Sequence, residues 1–434
     1  MQGFISRREF VRASSGAAVA AGLGLAAAPA RAQANDRIRI GCIGIGGRGT
    51  ALQGELLAQP DVEIVAVADV RDDNRAAAIA RAGGNATGYK DFRELLARDD
   101  VDAVAIATPP HWHALIGVYA LKAGKDIYVE KPMGRYPAEI RALVKAAKEG
   151  NRITQVGTQI HAGENFHRVV EIVRSGVLGK ITAARILITL NEAPGGCGKA
   201  PDSDPPPGVD WDMWLGPAPY VPFNPTRFTV HRYFKDYCGS WLTELGPHIG
   251  EPVFWALDLP APRSALAVGG KFTIDDISDI PDTMDAIWEY PDLNVTYISN
   301  AANSYTYGFG APPDGGRRLS VLFHGVNGTL AADYGANQII AEGNRMDGAV
   351  LPDPTLPRSP GHMREFLDSV KSRQETTCNA QHHYGLHIAM ALAHISYWTG
   401  RQVRWDDETG HIPGDPEADA IAQAPYREPW KLPA

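Results

Sequence analysis

The chain has 434 residues, more than one hydrophobic core usually serves, so two domains are expected. Hydrophobic residues make up 44% and charged residues 21%, the balance of a soluble globular protein, and beyond the N-terminal segment no stretch could span a bilayer. A formal charge of −8 argues against nucleic acid or an anionic membrane as partner.

Residues 1–32 read as an export leader. Ser6-Arg7-Arg8-Glu9-Phe10-Val11 is a twin-arginine pattern, Ala17 to Ala28 a weakly apolar stretch, and Ala30-Arg31-Ala32 an A-x-A cleavage site. The expectation is a periplasmic or otherwise exported protein. The leader holds four arginines against Glu9, so its removal takes the charge from −8 to −11.

From 33 to 157, short apolar runs alternate with amphipathic helical segments, the βαβ pattern of a doubly wound parallel sheet. Strands are predicted at Ile38–Ile43, Glu63–Ala68, Ala103–Ala107, Ile127–Val129 and Ile153–Val156. Helices are predicted near Gly49–Gln59, Asp73–Ala82, Asp91–Ala97, His111–Ala123 and Pro137–Glu149, the last opened by proline in its first turn. From 158 to 434 the pattern becomes α+β, with one helix, Glu164–Ser175, then longer strands at Ile181–Leu190, Thr283–Tyr290, Asn294–Asn300 and Arg317–Phe323 and a hairpin turn at Asn327-Gly328. Strands that follow one another without helices imply a large, mainly antiparallel open sheet. Residues 191–225, rich in Gly, Pro and Asp, read as a long loop near the cleft with Trp211 and Trp214 as anchors. Helices near His362–Ser372 and Tyr384–Thr399 precede a proline-rich tail. A large sheet face left bare marks oligomer contacts, so a homodimer or homotetramer is expected.

Cys42, Cys197, Cys238 and Cys378 have no C-x-x-C spacing, which argues against a thiolate zinc site. Cys42 reads as a small buried hydrophobe inside the first strand, and a Cys197 to Cys238 pairing is left open. His382-His383 with His387 has no carboxylate at matching spacing, so a helix-start cluster is favoured and no metal is predicted.

The chemistry lies in ordered motifs. Gly44-Ile45-Gly46-Gly47-Arg48-Gly49 follows the first strand and opens a helix, where glycines permit a tight turn, close approach of a pyrophosphate and close helix packing. The helix start points amides and its positive end at phosphates, and Arg48 adds a charge. Asp69 closes the second strand, where a carboxylate accepts hydrogen bonds from an adenosine ribose and repels a 2′-phosphate. NAD is therefore favoured, while Arg71, two residues on, keeps NADP open. Glu130-Lys131-Pro132 ends a strand in the same domain. An ammonium there stabilises a developing alkoxide, as hydride transfer from an alcohol requires. Glu244 and His248 stand four apart and share a helical face, so the carboxylate can orient an imidazole for general acid/base work. These features point to a Rossmann-type pyridine-nucleotide oxidoreductase.

Four of them, G-I-G-G-R-G (Gly44–Gly49), T-P-P-H-W-H (Thr108–His113), E-K-P (Glu130–Pro132) and E-L-G-P-H (Glu244–His248), give the chain a resemblance to the Gfo/Idh/MocA superfamily from about Arg37 to Trp405. The resemblance implies that Thr108, Pro109 and His113 lie near the nicotinamide, with Gly44, Ile45, Gly46, Arg48, Gly49, Asp69, Arg71, Glu130 and Lys131 around the cofactor. It implies a catalytic set of Lys131, His248 and Glu244, where family members commonly have Asp at the last position. Gln159, His161 and Asn165 resemble the substrate-side segment. Tyr233, Asp236 and Trp241 flank the histidine motif and supply the polar groups and aromatic face that a polyol needs. The expected reaction is hydride exchange between a sugar or cyclitol hydroxyl and a tightly bound nicotinamide recycled in place. Its rivals are an NAD-dependent redox-assisted glycosidase and a non-catalytic sugar-binding protein.

Overall fold

Apolar strands alternate with amphipathic helices in the first part of a computed structural model that describes residues 37–305 and 318–433, so the leader 1–32 and Arg317 lie outside the described residues. In chain order come β1 (Ile38–Ile43), α1 (Gly47–Leu57), β2 (Val62–Ala68), α2 (Asp72–Arg81), β3 (Thr87–Tyr89), α3 (Phe92–Leu96), β4 (Ala103–Ile106), α4 (His113–Lys122), β5 (Asp126–Val129), α5 (Pro137–Gly150) and β6 (Thr154–Val156). The six strands pair in parallel in the order β3-β2-β1-β4-β5-β6. Every residue of β4, β5 and β6 is buried, as expected of strands covered on both faces. The strand order reverses between β1 and β4. A crevice opens there outside the carboxyl ends of the strands, where an open α/β sheet places its ligand.

Two local departures from the predicted pattern have simple causes. Strand β3 is three residues of an edge, Thr-Gly-Tyr, with none of them fully buried, too short for alternation to register. The predicted helix from His111 is interrupted at its start, because Pro110–Trp112 form a 3₁₀ turn before α4.

The second part runs α6 (Glu164–Arg174), β7 (Ile181–Thr189), α7 (Trp211–Leu215), α8 (Pro225–Thr229), α9 (Trp241–Leu257), β8 (Ser264–Gly270), β9 (Thr283–Glu289), β10 (Asn294–Asn300), β11 (Arg318–Gly325), β12 (Gly328–Asp333), β13 (Asn337–Ala341), α10 (His362–Ser372), α11 (Tyr384–Thr399), β14 (Val403–Arg404) and α12 (Pro416–Ala422). Its eight strands are ordered β13-β12-β11-β7-β10-β9-β8-β14. All neighbours are antiparallel except β7 and β10. Asn327 sits in the β11–β12 hairpin, and Trp211 stacks on Trp214 with ring centroids 4.7 Å apart, anchoring the long loop.

One hydrophobic core joins Ile106 and Val129 of the first sheet to Ile186, Trp288 and Tyr297 of the second. On β8 and β9, Ala265, Ala267, Ala286 and Trp288 point into it, while Leu266, Val268 and Ile287 stand exposed on the opposite face. Leu266 lies directly across from Ile287, so the bare face carries an apolar patch. The open pairing of Cys197 with Cys238 is not realised. Both are free thiols, Cys238 wholly buried beside Thr243 and Cys197 half-buried beside Gly198. No helix among the described residues is long and apolar enough to cross a membrane.

Candidate cofactor and active site

A cavity of about 460 Å³ opens at the switch point, lined by the glycine loop, the ends of β2, β4 and β5, and residues of α7, α8 and α9. Gly44 adopts φ +80°, and a Cβ on it would lie 2.6 Å from the Thr108 backbone nitrogen. A Cβ on Gly49 would meet the Gly44 carbonyl oxygen at 1.9 Å, so the loop and α1 close only with glycine here. Gly46 differs. A Cβ there would meet nothing within 4 Å, because Gly46 faces the open cavity. The cavity fits a dinucleotide on three observations. Its wall includes a helix start with first-turn amides lacking intrahelical partners. The buried Arg48 Nη2 and Thr108 Oγ1, both on residues of that wall, have no protein hydrogen-bond partner.

Asp69 ends β2 at the cavity edge. Its Oδ2 accepts from Ile45 N at 2.6 Å and from Asn74 Nδ2 at 3.2 Å, and its Oδ1 accepts from Arg71 N at 2.9 Å. Burial pushes the carboxyl above its ordinary value, with these donors opposing the shift. The helix N-cap of α2 is Arg71, so Asp69 is free of that duty. The Arg71 guanidinium is already occupied, with Nε 3.0 Å from Asp73 Oδ1. It is therefore poorly placed to neutralise a 2′-phosphate. Like charges brought together cost several kcal/mol, so NADP should bind at least about 10²-fold more weakly than NAD. Titration of nucleotide-free protein with each nucleotide checks this, and tighter NADP binding would mean that Arg71 governs the pocket.

The Arg48 Nε donates to Glu130 Oε1 at 2.6 Å and its Nη1 to Glu55 at 2.7 Å, tying the glycine loop to the end of β5. Burial pushes the Glu130 carboxyl up while Arg48 opposes it. A Cβ on Gly157 would sit 2.7 Å from the Glu130 carboxylate, which explains glycine there. Lys131 extends into the cavity, with Nζ donating to the Glu244 carbonyl at 2.7 Å and lying 3.3 Å from Glu244 Oε2. Burial alone would raise the Glu244 carboxyl, but Lys131, His231, Arg232 and His248 together outweigh it and hold the group below its ordinary value. The carboxylate that sequence spacing assigns to His248 thus meets Lys131 as well. His248 stands one turn further along α9, outside the lining of this cavity and half-buried, its ring 6.3 Å from that of Tyr334.

His113 opens α4 and lines the cavity, with Nδ1 2.7 Å from the Pro132 carbonyl and Nε2 2.6 Å from that of Thr108. Two carbonyls favour a charged ring, yet burial outweighs them and pushes it down to about 4. A neutral ring has a single N–H, so His113 donates to only one of the two carbonyls at a time. Pro109 lines the same wall. Sequence reading missed His231 and Arg232, which line the cavity near Glu244. Burial pushes His231 down to about 4. Their signal was the His-Arg-Tyr run between predicted elements.

The six residues expected around the substrate do not line this cavity. Gln159 is exposed on a 3₁₀ turn after β6. His161 is buried and contacts Glu251. Asn165 holds the β12–β13 hairpin through Asp333 O and Asn337. Tyr233 donates to Glu192 at 2.9 Å and packs edge-on against Trp241. Asp236 is turned away, to a smaller cavity of about 160 Å³ beside Arg135 and Trp398.

The oxidoreductase family with an NAD-binding Rossmann fold matches residues 38–158, and its C-terminal alpha/beta domain matches 165–263 and 322–432. The chain belongs to the Gfo/Idh/MocA oxidoreductases. A Glycosyl hydrolase family 109 protein of Saccharopolyspora erythraea is 35% identical over 157 residues, covering 34% of each chain. Myo-inositol 2-dehydrogenase of Thermotoga maritima is 31% identical over 149 residues, covering 34% of this chain and 44% of that one. The chain thus matches less than half the length of these relatives. The fold is similar to levoglucosan dehydrogenase in complex with NADH and L-sorbose, with a TM-score of 0.60 at 17% identity over 85% of this chain and 99% of that one. The Gfo/Idh/MocA cofactor is NAD, and the glycine loop, Arg48 and Thr108 are the groups here that would hold it.

Proposed function

We propose that this protein oxidises and reduces a sugar or cyclitol hydroxyl with NAD as hydride carrier. The observation that carries the proposal is Lys131, only 13% exposed, at the end of β5 in the nucleotide cavity and fixed by Glu244 from the opposite wall. Bound NAD supplies a hydride acceptor at its nicotinamide. Lys131 stabilises the negative charge that grows on the hydroxyl oxygen. Glu244 directs Lys131, and His248, on the same face of α9, exchanges the proton. Myo-inositol 2-dehydrogenase and levoglucosan dehydrogenase, by name, act on substrates of this class.

The leader pattern supports export through the twin-arginine route, where free NAD is scarce, so the nucleotide stays bound and a second substrate regenerates it. The bare apolar face on β8 and β9 supports a homodimer or homotetramer. A second reading is favoured by the family 109 relative: transient oxidation that permits elimination of a glycoside, after which the cofactor is restored. Presence of both Lys131 and His248 disfavours a purely binding role. The test is mass spectrometry of nucleotide released after dialysis, joined to product analysis. Retained NAD with a ketose or ketone product supports oxidoreduction, whereas release of an aglycone without net redox supports the glycosidase. A protein that purifies empty and needs millimolar NAD counts against the closed cycle.

A further inference from the structure

Behind the catalytic helix, His161, Glu251 and His382 converge from three separate elements. His161 lies on the turn after β6, Glu251 on α9 two turns past Glu244, and His382 just before α11. One ligand atom from each lies within 4.8 Å of the others. His161 Nδ1 and His382 Nε2 both approach Glu251 Oε1, at 2.7 and 2.8 Å. Glu251 Oε2 is buried and has no partner.

Counting protons shows what the cluster lacks. Thr377 Oγ1 donates its single proton to the Glu365 carboxylate at 2.7 Å, and it also lies 3.0 Å from His161 Nε2. The proton on that second contact must come from His161 Nε2. A neutral His161 then aims a bare Nδ1 lone pair at a carboxylate oxygen 2.7 Å away. Three arrangements remove the clash, a second proton on His161, a proton on Glu251 or a cation among the three groups. The cation also uses the unpartnered Oε2. The His161 Nε2–H, the Thr377 hydroxyl and Glu365 form the outer chain that orients a metal-bound imidazole.

We propose that His161, Glu251 and His382 form a binding site for a divalent transition metal of the zinc class. Two imidazoles and one carboxylate suit such an ion and leave a fourth position for water. The His161 and Glu251 side chains are 2% and 1% exposed, and His382 at 19% marks the way in.

The test uses the full chain with its nucleotide, stripped of metal by chelator and titrated with Co²⁺. The expected result is one equivalent bound with the visible absorption of four-coordinate cobalt, displaced by Zn²⁺. Glu251→Gln and His382→Ala should abolish it. His382 lies at the rim, so that variant keeps the test decisive even where the buried Glu251→Gln fails to fold. Thr377→Val keeps all three ligands and should weaken binding about 10- to 100-fold. Folded wild-type protein that takes up neither ion, or uptake unaltered in His382→Ala, would overturn the site and leave a proton shared between His161 and Glu251.

Discussion

Lys131→Met should lower kcat by about 10²–10³, the cost of removing a partner from a developing oxyanion, while leaving NAD binding in place. The substitution keeps approximate length and deletes the charge. His248→Ala should cost about 10²–10⁴, as loss of a general acid/base does. Both groups act on one transition state, so the double variant should fall short of the product of the two losses. Glu244→Gln should hurt less than either, since an amide oxygen still offers Lys131 an acceptor. Its distinctive readout is the pH profile. The wild-type Glu244 carboxyl is held low against burial by Lys131 with His231, Arg232 and His248, so the ion pair persists at neutral pH and is lost only as pH falls through the depressed value. The acid limb attributable to Glu244 should vanish in the amide variant. Near-full turnover in His248→Ala with a dead Lys131→Met would move the proton to Lys131 alone, or to His231 on the same wall.

The second large effect falls on the cofactor. Gly46→Val should fold normally, because a Cβ there meets nothing within 4 Å, yet it fills the space the pyrophosphate needs. Intruding into a fitted site costs about 1–3 kcal/mol, roughly 5- to 150-fold in NAD affinity. Gly49→Val should behave differently. Its Cβ would collide with the Gly44 carbonyl oxygen at 1.9 Å, so it should lower the melting temperature as well as affinity. Parallel thermal melts and NAD titrations separate the two. Equal affinity in Gly46→Val and wild type would mean that the nucleotide does not pass over this loop.

What the sequence disclosed and what it hid follow one physical division. Signals carried by neighbours in the chain were legible: the glycine loop between β1 and α1, the carboxylate at the end of β2, the lysine at the end of β5, the amphipathic helix α10 and the long apolar helix α11. Signals that depend on distant pairing were not. The parallel contact of β7 with β10 leaves no trace in either strand's alternation, since a strand's faces read the same whichever way its neighbour runs. Spacing of four on a helix suggested that Glu244 serves His248, and the fold adds Lys131 to it across 113 positions of chain. His382 lacked a nearby carboxylate in sequence, and the fold supplies Glu251 from 131 positions away. The substrate-side residues inferred by resemblance carried no spacing signal of their own. Asn165 in particular satisfies its amide on the β12–β13 hairpin.

The most direct measurement of the central claim is made on protein as purified, with no nucleotide added. A panel of sugars and cyclitols is mixed with it while the near-ultraviolet absorbance of reduced nicotinamide is recorded. Wild type should produce that absorbance in a single turnover with at least one polyol, and Lys131→Met, carrying the same bound NAD, should do so about 10²- to 10³-fold more slowly. Bound NAD that no sugar or cyclitol reduces in wild type, or that Lys131→Met reduces at the wild-type rate, would contradict the account.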